Sequence, residues 1–404
     1  MPSNTLFLFR RDLRLSDNTA LNEALRKGDS VLAVFILDRK LLDRWKTSNK
    51  RLSFLFQSLR QLQERLEGLG GSLLVATAKE EDLLPSLFKK HSIDTLFVNK
   101  GYSIYGRMQD KRLEQVAGES GKGFVALDDA HLNAPEQVVK ADGSPYTVFT
   151  PYFRKASSFQ ISEPAALEKG RFLSLENQGS WPSELDRYLG TALVRFEPGE
   201  EGALKALNAV SGLTDYEHQR DVPASEQTSH LSAHMRFGTC SARQAHHAVR
   251  KSLNDQHPLL RQLYWRDFYH QIGWHYPHVF KHAFRRHYDA LPWRADAETL
   301  RSWKEGKTGF PIVDAGMREL AETGYMHNRV RMVTASFLTK NLHLDWRLGE
   351  AYFAEQLIDY DPAVNNGNWQ WSASTGCDAQ PYFRIFNPWR QQQKFDRDCA
   401  YIKQ

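Results

Sequence analysis

Short apolar runs alternate with amphipathic segments along residues 1–130 of the chain. Apolar runs bounded by turn residues are typical of buried strands, and apolar positions three and four apart are typical of helices that face a core. Strands are predicted at Thr5–Phe9, Val31–Asp38, Ser72–Thr77, Thr95–Asn99 and Phe124–Leu127, and helices at residues 17–27, 50–68, 80–91 and 106–117. This alternation predicts an α/β fold with a doubly wound, Rossmann-like parallel sheet.

The remainder of the chain has a different pattern. Residues 131–200 are rich in Pro, Ser, Glu and Gly and predict an interdomain linker with a brief helix at 145–158. From residue 201 the pattern is almost wholly helical, so residues 201–404 are predicted to form an all-α domain that follows the α/β domain at 1–130. Helices are predicted near residues 203–211, 241–252, 258–274, 311–323, 328–341 and 350–358, with breakers at Gly306–Gly309 and Pro362–Gly367.

Composition narrows the class of protein. A length of 404 residues is enough for two domains, and no apolar stretch is long enough to span a membrane. Three isolated cysteines (Cys240, Cys377, Cys399) and a start without a signal pattern predict a cytoplasmic location. The net charge of +5 favours nucleic acid only weakly. We expect a monomer.

The first strand is followed by Phe9-Arg-Arg-Asp-Leu-Arg-Leu-Ser-Asp-Asn18. A Gly-x-Gly-x-x-Gly motif, which brings backbone amides to a dinucleotide pyrophosphate, is absent at this point. The pattern therefore disfavours a dinucleotide-dependent dehydrogenase.

Polar and charged side chains that are costly to bury are concentrated in two segments of the helical half, Asp359-Tyr-Asp-Pro-Ala-Val-Asn-Asn-Gly-Asn-Trp-Gln-Trp371 and His327-Asn-Arg-Val-Arg-Met332. Burying such groups requires partners or a ligand. No metal-ligand spacing of Cys or His is present, so no metal is predicted and an aromatic organic cofactor fits better.

Two further segments carry candidate binding groups. Gln262, Trp265, Arg266 and Tyr269 share one helix face that combines hydrogen-bonding, stacking and cationic groups. Thr228-Ser-His-Leu-Ser232 places hydroxyls before a helix, where they suit a phosphate or an ordinary helix cap.

Three longer motifs resemble those of the photolyase/cryptochrome family, most closely the class I cyclobutane pyrimidine dimer photolyases: Lys307-Thr-Gly-Phe-Pro-Ile-Val-Asp-Ala-Gly-Met317, Met326-His-Asn-Arg-Val-Arg-Met332 and Asn365-Asn-Gly-Asn-Trp-Gln-Trp-Ser-Ala-Ser-Thr-Gly376. The resemblance runs from the first strand through Gln404. It implies a lyase that binds UV-damaged DNA and repairs its dimers in blue light, by electron transfer from excited reduced FAD to a flipped-out dimer.

The resemblance also implies site residues. FAD contacts are implied for Tyr216, Thr228, Ser229, His230, Leu231, Ser232, Arg266, Tyr269, Asn328, Arg331, Asp359, Asp361 and Asn365. Arg331 and Asp359 would pair beside the isoalloxazine, and the Asn365 amide would face flavin N5, as in photolyases. Electron transfer from the surface to the flavin is implied for Trp293, Trp346 and Trp369. Contacts with the lesion or its phosphates are implied for Arg220, Gln262, Trp265, Asn328, Arg329, Met332, Trp371 and Gln391.

The chain departs from the family pattern at two places. Gln262 stands where class I enzymes usually have glutamate, and glutamine is also familiar there from six-four photolyases and animal cryptochromes, although His327-Asn328 replaces the histidine pair of those relatives. Phe35-Ile-Leu-Asp38, Arg51 and Tyr105-Gly-Arg107 resemble a deazaflavin-binding subgroup, whereas Gly101 and Ser103 replace its acidic contacts. The antenna chromophore is therefore left open: a deazaflavin, another chromophore, or none. A six-four photolyase, a cryptochrome-like photoreceptor and a flavin-binding protein without lesion chemistry are the alternatives.

Overall fold

The chain forms two compact units in the computed structural model, which describes residues 3–39, 42, 49–175, 181–190, 193, 195–225, 227–382 and 384–404. Unit 1 comprises Met1–Ala134, Ile161–Asn208 and Leu231–Lys251, and unit 2 comprises Pro135–Gln160, Ala209–His230 and Ser252–Gln404. This division by packing distributes residues 131–200 over both units and places 231–251 in unit 1. The predicted domain boundaries at residues 130 and 200 stay a prediction.

Unit 1 contains a five-stranded parallel sheet in the order β3-β2-β1-β4-β5. Its strands are β1 (Asn4–Phe9), β2 (Val31–Leu37), β3 (Leu73–Thr77), β4 (Ile93–Asn99) and β5 (Gly123–Leu127). In register, Phe7 pairs with Ala33 on one side and with Phe97 on the other. The strand order reverses at β1, which confirms the predicted doubly wound α/β fold.

Within the described ranges of unit 1, four helices alternate with these strands: α1 (Thr19–Lys27), α2 (Asn49–Gly68), α3 (Glu80–Lys90) and α4 (Ile104–Glu119). One core joins alternate strand residues such as Leu6 and Leu8 to Leu84 and Phe88 of α3 and Leu113 of α4. β1 and β2 are buried along nearly their whole length, as expected of parallel strands covered on both faces. Their continuous apolar runs are the reason that the sequence predicts them well.

The helices after the sheet are α5 (Phe149–Ala156), α6 (Gly199–Ala209), α7 (Tyr216–Gln219), α8 (Ser232–Phe237), α9 (Ala242–Ser252), α10 (Pro258–His275), α11 (Ala297–Lys304), α12 (Pro311–Thr323), α13 (Asn328–Ser336), α14 (Trp346–Gln356), α15 (Pro362–Ala373), α16 (Pro388–Phe395) and α17 (Ala400–Lys403). A π-helical turn, Phe337–Asn341, extends α13. Single 3₁₀ turns lie at Ser183–Tyr188, Val210–Gly212, Pro223–Ser225, Pro277–Phe280 and Arg286–Ala290. Among the described residues, none of the helices is both long and apolar enough to cross a membrane.

The predicted break at Pro362–Gly367 is wrong, because this segment is the first half of α15. Pro362 occupies the first helical turn, where its missing N–H costs nothing, and Asp361 caps the helix by accepting from the N–H groups of Ala363 and Val364. Most of the polar segment at residues 359–371 is therefore helical.

A buried ion network joins distant segments of unit 1. Arg14 donates to Asp129 at 2.5 Å, and Arg243 of α9 pairs with Asp129 at 2.8 Å and with Asp17 at 3.0 Å. Burial acts to raise the pKa of Asp129, but the charges of Arg14 and Arg243 outweigh it and hold that pKa well below its usual range. The network fixes α9 against the loop that follows β1.

Candidate functional site

The beginning of α13 holds an arginine–aspartate pair in unit 2. His327 caps the helix by accepting from the N–H of Arg329 at 3.2 Å. One turn later, Arg331 meets Asp359 with Nη1–Oδ1 at 3.2 Å and Nη2–Oδ2 at 2.9 Å, and its Nε donates to the Met326 carbonyl at 2.7 Å. Burial acts to lower the pKa of Arg331, but the Asp359 carboxylate outweighs it, so the pKa is raised. The guanidinium is fixed and charged.

A tyrosine links this pair to the predicted phosphate loop. The Tyr325 ring lies 5.6 Å from the Arg331 guanidinium and 5.6 Å from the His230 ring, centroid to centroid. His230 has φ +48°, and its Nε2 lies 3.2 Å from the Thr228 hydroxyl. Burial raises the pKa of Tyr325 to about 12, although Arg331 and Thr228 act to lower it. The hydroxyl therefore stays protonated and can donate a hydrogen bond.

Further predicted cofactor residues lie in this loop or near it in sequence. Tyr216 is buried, with its ring 5.6 Å from that of His257 and 5.8 Å from the guanidinium of Arg220. Burial raises the pKa of the Tyr216 hydroxyl. Leu231 and Ser232 fall in unit 1.

Asp361 combines its helix-capping role with a histidine contact. Its Oδ1 lies 3.0 Å from Nε2 of His270 on α10, and both side chains are largely buried. This carboxylate is thereby fixed at the junction of α10 and α15. Sequence reasoning selected Asp361 but not His270, which directly follows Tyr269 on α10.

Asn365 is oriented by a glutamate on the neighbouring helix. Its Nδ2 donates to Oε1 of Glu350 at 2.9 Å and to the Glu350 carbonyl at 3.2 Å. Because Nδ2 is engaged in this way, the amide oxygen is the group that remains for a further contact. Sequence reasoning missed Glu350, whose only signal is its position on a helix that packs against α15.

The three predicted electron-transfer tryptophans belong to one hydrophobic cluster, in which Trp369 and Trp346 are each 2% exposed and Trp293 is partly buried. The Trp369 ring lies against Gly349, where an added Cβ would come within 2.1 Å of it, and Gly349 follows Trp346 by one helical turn. Trp293 is brought to the same helix start by the bridge between its neighbour Arg294 and Leu344. Trp369 and Trp346 are therefore buried alike, and Trp293 is the most exposed of the three.

Trp303 is a further tryptophan of this cluster, and it lies 6.1 Å from Trp369, centroid to centroid. It is fully buried, stacks on Phe353, and donates its indole N–H to the Thr334 carbonyl at 3.2 Å. These contacts are those of a core residue.

α10 and α15 cross in an antiparallel sense. Gly273 lies against Ala363, and Gly367 lies against the Tyr269 ring, where an added Cβ would come within 2.1 Å. Extending this register by one more turn would bring Trp265 opposite Trp371, since the two contacts are four residues apart on each helix. Both rings are half-buried. Burial raises the pKa of the Tyr269 hydroxyl well above its usual range.

Polar groups flank these two tryptophans. Gln262 precedes Trp265 by three residues on α10 and is half-buried. Arg266 pairs with the buried Asp267 at 2.9 Å. Both residues keep the helix face that the sequence predicts, but the Arg266 charge is neutralised by its neighbour.

The remaining predicted DNA contacts lie on α13, α16 and the segment after α7. Asn328 is exposed, and its amide approaches the Met332 sulfur at 3.7 Å. Arg329 forms an ion pair with Asp221 at 2.6 Å, and its guanidinium lies 4.3 Å from the Phe395 ring. Gln391 is half-buried at the first turns of α16.

The residues of unit 2 fit a flavin nucleotide. A fixed cation, a protonated phenol and loop hydroxyls form one continuous series from Asp359 through Arg331 and Tyr325 to Thr228. Such groups complement the carbonyls, hydroxyls and phosphates of a dinucleotide. Among the described His, Cys, Asp and Glu side chains, no group is arranged to hold a metal ion.

Comparison with known proteins gives consistent matches. Residues 259–404 match the model of the FAD binding domain of DNA photolyase, and residues 5–168 match the DNA photolyase model. A deoxyribodipyrimidine photo-lyase from Alkalihalophilus pseudofirmus is 39% identical over 98% of this chain and 85% of its own length.

Solved structures agree in fold. An archaeal photolyase from Sulfolobus tokodaii with two FAD molecules is 39% identical, with a TM-score of 0.90 over 99% of this chain and 89% of that one. A cryptochrome from Synechocystis is 29% identical, with a TM-score of 0.90 over 100% of this chain and 88% of that one. Similarity of fold therefore does not separate a photolyase from a cryptochrome.

Proposed function

Because the chain belongs to the DNA photolyase family, an FAD-dependent family of photo-lyases, we propose that it repairs cyclobutane pyrimidine dimers in DNA under blue light. The predictions of family, enzyme class and FAD are confirmed by these matches. The choice of lesion and the electron-transfer route are the proposal.

The observation that carries the proposal is the antiparallel register of α10 and α15 at Gly273–Ala363 and Tyr269–Gly367, which one further turn would extend to Trp265 and Trp371. Two half-buried indoles at one helix crossing can hold a flipped-out pair of bases between aromatic surfaces. A dimer is extruded more readily than normal bases because it is already poorly stacked and paired, and that difference supplies selectivity.

Reduced FAD, when bound, would supply light-driven electron transfer to the dimer and would recover that electron after the dimer has split. The residues of the chain orient the reactants. Arg331 and Asp359 would hold the flavin edge, Glu350 would direct the Asn365 amide oxygen toward the ring, and Trp369, Trp346 and Trp293 would carry electrons that regenerate the reduced cofactor.

The experiment illuminates the reduced protein with oligonucleotides that contain one dimer or one six-four lesion, and follows loss of each lesion by chromatography. Loss of the dimer alone supports the proposal. Loss of the six-four lesion alone would assign the chain to the six-four enzymes. Loss of neither, with normal FAD photoreduction, would favour the photoreceptor.

We propose separately that unit 1 binds an antenna chromophore that is not held by the acidic contacts of the deazaflavin-binding subgroup. A Cβ on Gly101 would come within 2.6 Å of the Gly106 backbone, and the Ser103 hydroxyl caps α4 by accepting from the Gly106 N–H at 3.0 Å. The Sulfolobus tokodaii photolyase carries a second FAD. Chromatography of the chromophores released from purified protein tests this: a deazaflavin would contradict it, whereas FAD in twofold excess over protein would support it.

A further inference from the structure

The Trp265 ring is stacked face to face on Phe149, the first residue of α5. The two ring centroids are 3.6 Å apart, and the ring planes differ by 6°. Trp265 is half-buried, whereas Phe149 is 1% exposed. Phe149 therefore covers one face of the indole and does not itself reach the solvent.

Phe149 is held firmly on its own side. Its N–H donates to the Asp378 carboxylate at 2.9 Å, and its ring meets Phe268 edge-on at 5.7 Å. Phe153, one turn later on α5, lies nearly parallel to it at 5.8 Å, and the Arg261 guanidinium lies 5.2 Å from the Phe149 ring. These contacts fix the plane of the phenyl ring independently of Trp265.

We propose that Phe149 is a positioning residue that sets the plane of the Trp265 indole and so prepares it to stack on a pyrimidine dimer. The inference rests on the proposed function of Trp265. Binding is tighter when a side chain is already ordered before the ligand arrives, because no conformational entropy is then lost in ordering it on binding. An aromatic ring is needed at this position, since a flat partner constrains the indole plane and an aliphatic one only fills volume.

The decisive measurement is a double-mutant cycle on the affinity for DNA with and without a single dimer. Phe149→Leu should weaken binding of dimer DNA about threefold to tenfold, the range for one aromatic pair. In the background of Trp265→Ala, the same substitution should change the affinity little, because it acts through the indole. Undamaged DNA should bind as before.

Two variants serve as matched controls. Phe149→Tyr keeps the ring and should preserve dimer affinity. Phe153→Leu removes a neighbouring ring of the same aromatic group and should weaken dimer binding much less than Phe149→Leu, because Asp378, Phe268 and Arg261 still hold Phe149. FAD content and melting temperature are recorded for all variants; if Phe149→Leu does not retain FAD, Phe149→Met, which keeps the volume better, replaces it in the cycle.

Equal losses from Phe149→Leu with and without Trp265 would overturn the inference, as would unchanged dimer affinity in the folded single variant. If the proposed function is wrong, the result differs: the unaltered protein would bind dimer DNA and undamaged DNA with the same affinity.

Discussion

Arg331 and Asp359 face each other through two parallel hydrogen bonds, with the carboxylate side chain 3% exposed and the guanidinium side chain 25% exposed. Removing one partner of such a pair leaves a charge that is poorly solvated. Paired geometry of this kind also fixes the orientation of the guanidinium for a bound ligand.

Asp359→Asn should therefore destabilise the protein by about 3 kcal/mol, the lower end of the cost of breaking a buried pair because Arg331 is partly exposed. It should also lower the FAD content. Urea unfolding and the ratio of flavin to protein absorbance measure these effects. Asp345→Asn, which breaks the more exposed pair with Arg347, should cost less than about 1 kcal/mol. Equal losses of unfolding free energy in Asp359→Asn and Asp345→Asn would show that burial does not make the Arg331–Asp359 pair more important for stability.

Trp369→Phe should block photoreduction of oxidised FAD but leave repair by chemically reduced enzyme nearly unchanged. The reason is that Trp369 and Trp346 form the buried part of the series of tryptophans that ends at Trp293. Trp303→Phe is the control, because Trp303 touches Trp369 but lies outside that series. Flavin bleaching under blue light is the measurement, and normal bleaching in Trp369→Phe would contradict the assignment.

Sequence patterns predicted the parallel sheet well because β1 and β2 are continuously apolar, which is a strong local signal. They failed at α15, where Pro362 was interpreted as a breaker although it follows a capping aspartate. The same Asx-Pro start occurs at Asn387-Pro388 of α16, which was also not predicted. The failure at α15 comes from treating proline as a breaker at a position where it begins a helix, as it does at Pro258 and Pro311.

Side-chain contacts between residues that are far apart in the chain could not be predicted from the sequence. Arg14 and Arg243 meet at Asp129 although they are far apart in the chain, and no periodicity encodes such a meeting. Glu350 could be found only after the packing of α14 on α15 was known. Family motifs supplied Asn365, but the residue that orients it needed coordinates.

Trp265→Ala and Trp371→Ala should each weaken binding of dimer DNA by roughly 1–3 kcal/mol, the usual value of base–aromatic stacking. Undamaged DNA, held mainly through phosphates, should lose little affinity. Fluorescence titration of labelled duplexes measures both. Trp274→Ala, on the same helix as Trp265, is the control and should affect neither. Equal losses for both kinds of DNA would show that Trp265 and Trp371 are packing residues.

Asp129→Asn should destabilise unit 1 by about 3–5 kcal/mol at neutral pH, because it leaves Arg14 and Arg243 without their shared carboxylate. The folded pKa of Asp129 is depressed, so its contribution is fully present above the unfolded pKa of about 3.9 and is lost as the pH falls toward the folded pKa. The difference in unfolding free energy between the unaltered protein and Asp129→Asn should therefore become smaller below about pH 4. Urea unfolding across pH measures it, with the more exposed Asp186→Asn as control; a constant difference would contradict the depressed pKa.

Gln262 is a position at which this chain departs from the family pattern, and it lies three residues before Trp265 on α10. If its amide is only a neutral hydrogen-bond donor to a pyrimidine carbonyl, Gln262→Glu should bind dimer DNA as well as the unaltered protein and should change mainly the quantum yield of splitting. Gln262→Leu, which cannot donate, should lower both affinity and yield, since it leaves a polar ligand atom unpaired. Titration with dimer DNA and repair per absorbed photon are the two measurements. Repair of six-four lesions without repair of dimers by the unaltered protein would instead show that Gln262 marks six-four specificity, which Asn328 and Met332 argue against.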